Sequence, residues 1–133
     1  DRQLSRNSFY RNYLDMEDII RQFLNDFTHE YKKTLNSFDQ PDNVITYKTL
    51  FELIQKHSQR FLILRKRHLL YLLQEALLIF WGPVESMDNF SAYGVSFVMY
   101  GTYGWIDEWL HRGMQEDSEV IAQVLSARQN KTS

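Results

Sequence analysis

From Ile20 onward an apolar residue returns at every third or fourth position: Ile20, Phe23, Phe27, Tyr31, Leu35 and Phe38. That spacing lays one apolar stripe along one side of a helix. It predicts a rod of about 20 residues, roughly 30 Å long, which must bury its stripe against other helices. Only two Pro and five Gly occur in 133 residues, and no stretch alternates with the period of a strand. The expected fold class is therefore all-α, a helical bundle.

The boundaries can be read from capping and breaking residues. Asp15 reads as the N-cap of the rod, with Asp18 at the capping-box position. Lys32 and Lys33 suit its negative end. "DQPDNV" is a break, after which Thr46 is expected to cap a helix reaching about His57. "SQRFLIL" is a short piece, and a further helix spans about 69–81, ended by Gly82-Pro83. The loop "VESMD" precedes a helix over about 89–112, stopped by Gly113 as its C′ residue. Ser118 is expected to cap a last helix carrying Val120, Ile121, Val124 and Leu125.

Several function classes find little in the chain. With no Cys there are no disulfides, thiolate metal sites or thiol nucleophiles, which fits a reducing cytoplasm. A formal charge of −2 gives no overall pull toward nucleic acid, so any DNA affinity has to be local. Residues 89–106 carry no charge, but they are rich in Gly, Ser, Tyr and Thr and are bracketed by Asp88 and Asp107. A helix buried at a subunit interface explains them better than a membrane span. Glu108 and His111 form a single Glu-x-x-His pair without the second pair that a di-iron bundle needs. No zinc, phosphate-loop or nucleophile-elbow signature appears. Neither an enzyme nor a bound metal or cofactor is expected.

The opening "LSRNSFYRNYLDMEDII" is polar and basic, with aromatic residues inserted. It resembles the end of the DNA-binding domain of the tetracycline-repressor (TetR) family, whose pattern reads roughly V-S-R-x-T-F-Y-x-H-F-x-x-K-E-x-L. Leu4, Ser5, Arg6, Ser8, Phe9, Tyr10, Tyr13, Glu17 and Ile19 align with that pattern without a gap. Near the other end, "YGWIDEWLHRGMQEDSEVIA" is similar to the regulatory domain of one branch of the family.

The resemblance implies a helix-turn-helix regulator, most often a repressor, whose first two and a half helices lie upstream of this chain. Residues 1–14 would end the DNA-binding domain, and residues 15–133 would form the ligand-binding and dimerisation domain. It also implies a homodimer built by the last two helices, a small-molecule effector and a double-stranded DNA operator. Ser5, Arg6, Asn7, Ser8 and Arg11 supply the short polar and basic groups a recognition helix presents to base edges and phosphates. The hydroxyls of Tyr10 and Tyr13 suit phosphate oxygens. Met16 and Asn12 depart from the family's usual Lys and His, and losing that Lys removes one phosphate neutralisation. The alternative is a helical co-regulator of the same ancestry that acts through protein contacts.

Two further sets follow. Gly94, Gly101 and Gly104 lie toward one helix face, where missing side chains let another helix approach. Val98 and Trp105 flank that face, and Ile121, Val124 and Leu125 join it from the last helix as the expected dimer interface. The competing reading is close packing inside one subunit. For the effector, the middle helices offer Tyr31, Phe61, His68, Tyr71, Gln74, Glu75, Phe97 and Tyr100. Pockets are mostly apolar with a few placed polar groups, which is the character of this set; aromatic stripes also form plain core. Glu75 is the most informative of these, since a buried carboxylate needs a partner or a proton; His68, two turns away on the same face, is the candidate partner, and either residue could equally face solvent. The basic run "RKRH" at 65–68 reads as a solvated loop and helix end.

Overall fold

A computed structural model describes the backbone of residues 2–132 and the side chains of residue 6 and residues 15–129. Among the described residues there are six helices and no strand: α1 (Arg2–Asn36), α2 (Asn43–Lys56), α3 (Ser58–Lys66), α4 (Tyr71–Trp81), α5 (Asn89–His111) and α6 (Ser118–Thr132). None is long and apolar enough to cross a membrane.

The first correction concerns α1. It is one unbroken helix of 35 residues, about 52 Å long, and Asp15 lies inside it rather than capping it. No Gly or Pro interrupts the chain there, and the Glu17–Arg21 pair, 2.6 Å apart at i,i+4, favours continued helix. The boundary expected between residues 14 and 15 falls inside this helix.

The caps shift in the same way elsewhere. Asp42, not Thr46, caps α2: its carboxylate accepts from the Ile45 amide at 2.8 Å. Thr46 sits in the first turn and donates its hydroxyl to the Asp42 carbonyl. Asp117, not Ser118, accepts from the Val120 amide at the start of α6. In each case a carboxylate one to four positions upstream reaches an unpaired amide of the first turn. Asp88 caps α5 by accepting from both the amide and the hydroxyl of Ser91.

Two helices end in the same six-residue turn. At the end of α5 the amide of Met114 bonds back to Trp109 O and that of Gly113 to Leu110 O, with Gly113 at φ +84°. At the end of α3 the amides of Leu69 and His68 bond back to Leu64 O and Arg65 O. There the left-handed position is held by His68, at φ 60°. This turn uses up residues 67–70 and explains why α4 begins at Tyr71, not 69. At the end of α4, a Cβ on Gly82 would run into the Leu78 carbonyl.

The core lies between α1, α2, α4 and α5, with α3 closing one end and α6 packed chiefly along α2. Phe27, Phe51, Ile54, Phe61, Leu73 and Ile106 are almost wholly buried. Phe27 meets Phe61 edge-on at 5.0 Å, and Phe51 meets Trp109 edge-on at 4.9 Å. The indole N–H of Trp109 donates to Glu116 O at 3.0 Å, fixing the α5–α6 connection.

Candidate functional site

One side of α5 is open among the described residues. Phe90, Gly94, Phe97, Gly101 and Gly104 recur at alternating spacings of four and three, the period of a helix–helix seam. Phe90 is 84% exposed and Phe97 69%, while Tyr93 and Tyr100 continue the surface beside them. A Cβ placed on Gly94, Gly101 or Gly104 would meet nothing within 4 Å. Among the described residues the glycines therefore do not serve packing inside the subunit, which counts against that competing reading. Large and small residues alternate along a face that none of the described residues covers.

The rest of the expected dimer set divides. Val98 and Trp105 are half-buried beside the open face, and Val124 of α6 is exposed next to it. Ile121 and Leu125 are buried within the subunit, where α6 packs on α2. They still form the floors of two shallow grooves between α5 and α6, reaching Trp105 from either side.

The eight residues expected to line an effector pocket are not gathered into one. Phe97 and Tyr100 project from the open face of α5, so they belong with the glycines. Tyr31 and Phe61 are core: Tyr31 donates to Thr46 O at 2.9 Å, and Phe61 packs on Phe23 and Phe27. Glu75 is exposed, not buried, on a groove of about 660 Å³ between α1 and α4 that also takes in Asp18 and Arg21. His68 is not its partner, because the turn at 67–70 takes His68 off the α4 helix.

His68 and Tyr71 do come together, in a cavity of about 290 Å³ with Arg65, Leu70, Tyr103 and Asp107. Arg65 Nε donates to Asp107 Oδ1 at 2.9 Å, joining the end of α3 to α5. Burial, and secondarily the Asp107 charge, push the Tyr103 phenol up from its ordinary value. Gln74, 5% exposed on α4, has neither amide atom hydrogen-bonded among the described residues. Sequence reasoning missed Arg65, Tyr103 and Asp107, since residues 65 and 107 lie 42 positions apart and "RKRH" reads as solvated surface.

In the opening segment the side chains of Ser5, Asn7, Ser8, Tyr10, Arg11 and Tyr13 lie outside the described ones; Arg6 is exposed. No group of three or more His, Asp or Glu residues able to hold a metal occurs among the described residues. No family model, characterised protein or solved structure matches the chain.

Proposed function

We propose that this chain is the larger part of a ligand-responsive DNA-binding transcriptional regulator of the TetR type, a homodimeric repressor released from its operator by a small-molecule effector. The observation that carries the proposal is α1. It joins the polar, basic segment "LSRNSFYR" to the packed stripe of Leu24, Phe27 and Tyr31 without a break. Such a rod transmits motion: a tilt of about 5° at the body moves the far end of a helix about 50 Å long by roughly 4 Å. A displacement of that size is enough to take two reading heads out of step with successive major grooves.

The open face of α5 supports the dimer. Contiguous exposed aromatic surface of this kind marks an interaction site in a folded protein.

The test is a gel-shift titration of the full-length protein on its own promoter region at low and high salt, alongside sedimentation of the same protein. The expected result is a dimer giving a sequence-selective shift that weakens steeply with salt. A dimer with no such shift favours the co-regulator that works through protein contacts. A body that stays single at high concentration removes the regulator reading altogether.

A further inference from the structure

The groove between α1 and α4 has two unlike parts. Its floor is apolar: Leu24 and Thr28 of α1 and Leu72 and Ala76 of α4 lie buried or half-buried beneath it. Ile79 and Phe80 stand along its side, 80% and 39% exposed, so α4 carries apolar surface with no cover among the described residues. The Thr28 hydroxyl is already bonded to Asn25 O at 2.9 Å and needs no further partner. At one end the character changes. Asp18 and Glu75 line the groove there, and Arg21 beside them is bound to Glu17 at 2.6 Å. The carboxylates of Glu17, Glu75 and Asp18 all act on the one guanidinium, which leaves this end net negative among the described residues. Arg21 with Glu75, His29 with Phe80 and Tyr31 with Trp81 meet in the same order along both helices. The two helices therefore run in one direction, with the acidic end toward the start of α4.

We infer that this groove receives an amphipathic helix of a partner protein, about three turns long, with one apolar stripe and a lysine- or arginine-rich end. From Asp18 to Thr28 the groove follows roughly 15 Å of α1, the length of such a helix. Both walls are helices, whose backbone groups bond internally. An extended segment would find no edge to pair with, whereas a helix satisfies its own backbone and brings only side chains. Thr28 and Ala76 are small, so the floor lets a third helix come close and set its ridge of side chains between the two. The apolar stripe covers Ile79 and Phe80, and the cationic end meets Asp18 and Glu75. That negative end turns away nucleic acid and anionic lipid, and so selects a cationic protein segment. Such docking goes beyond the regulator reading and needs no DNA: it pins the rod to α4 along its packed stretch.

The experiment is fluorescence-anisotropy titration of the protein with three labelled helical peptides. The first carries leucines at helical spacing and two lysines at one end. The second replaces the lysines with glutamates, and the third scrambles the leucines off the stripe. Saturable binding is expected for the lysine peptide, about tenfold weaker binding for the glutamate peptide, and none for the scrambled one. Ile79→Glu puts a charge on the groove at a position the core does not use, and should abolish binding with helix content unchanged. Glu75→Lys, also at an exposed position, cancels the net negative charge and should erase the preference for the lysine peptide. Equal binding of the two charged peptides, or a preference that survives Glu75→Lys, would overturn the inference. So would binding that survives Ile79→Glu, or no binding at all. Loss of the dimer in Ile79→Glu would assign the groove to a second copy of this chain and overturn it as well. A failed gel shift with peptide binding intact would sink the regulator reading alone.

Discussion

Tyr31 on α1 donates its hydroxyl to the carbonyl oxygen of Thr46, in the first turn of α2, at 2.9 Å. The bond fastens the long rod to the body 15 residues further on, and the Tyr31 ring rests against Trp81 of α4 at 5.0 Å. Tyr47, the next residue after its acceptor, is also buried, and hydrogen-bonds to Gln129 of α6. Two adjacent positions of α2 thus tie the first helix and the last to one core.

Burial, with a smaller contribution from Tyr47, pushes the Tyr31 phenol far above its ordinary value of 10.0. Tyr47 is raised too, again mainly by burial. A group whose folded value is raised holds its proton in the folded state after the unfolded chain has lost it. Its contribution is therefore complete below about pH 10 and falls as the pH rises beyond that. Tyr31→Phe should cost about 1 kcal/mol at neutral pH by removing the bond to Thr46 O. It should also flatten the alkaline fall in stability by about 1 kcal/mol at half a unit above pH 10. Urea unfolding at neutral and alkaline pH measures both; equal alkaline slopes for the two proteins would contradict the burial argument.

Gly101 sits in the middle of a helix with open space where its Cβ would be. In a lone subunit, Gly101→Ala should stabilise by about 1 kcal/mol, the ordinary helix-propensity difference. Where a second copy covers the face, the same glycine is a hole for a large side chain such as Phe97 of that copy. Gly101→Leu should then abolish the dimer while leaving helix content unchanged. Sedimentation read together with circular dichroism distinguishes the two. A dimer as tight as the parent's would remove α5 from the interface.

Much of the bundle is legible in the sequence because apolar spacing is a local signal. The stripe Phe23, Phe27 and Tyr31 forecasts the packed side of α1, and Gly113 forecasts the end of α5. Caps are less legible, since Asp42 and Thr46, or Asp117 and Ser118, are equally good candidates until the backbone decides between them. The start of α1 was misread because a capping residue in mid-helix looks the same as one at an end. The cavity was half legible: His68 and Tyr71 stand close in sequence, while Tyr103 and Asp107 reach them only through the docking of α5 on α3. For Glu75 the sequence leaves inside and outside equally open, and Phe97 stands only among the pocket candidates; the rotation of each helix puts both outside.

Glu30 offers a test of how the rod is held toward its C-terminal end. Its carboxylate accepts from Lys56 at 2.6 Å and from His57 at 3.3 Å, at the junction of α2 and α3. The hydrogen bond from Lys56, with a lesser one from His57, holds the carboxyl below its ordinary value. With the folded value lowered, the contribution is present above the ordinary carboxylate range and is lost as pH falls through the lowered value. Both side chains of the Lys56 pair are partly solvated, so its worth is under about 1 kcal/mol. Glu30→Gln should lower stability by that amount at pH 7 and by progressively less as pH falls through the lowered carboxyl value, and 1 M salt should shrink the difference.

The contact between Phe51 and Trp109 separates packing from hydrogen bonding at one place. Phe51 is wholly buried on α2, and its ring meets the Trp109 indole edge-on across the α2–α5 contact. Phe51→Ala removes a ring from a site with no solvent access and should cost about 3–5 kcal/mol. Trp109→Phe keeps an aromatic ring against Phe51 but deletes the N–H that holds Glu116 O, and should cost nearer 1–3 kcal/mol. The two changes should differ in a second way. Only Trp109→Phe should speed amide exchange in the loop between α5 and α6, because its donor fixes that loop directly. Exchange in the loop that stays at the parent rate, with the same loss of stability, would show that the Trp109 N–H acts through packing and not through its bond to the loop.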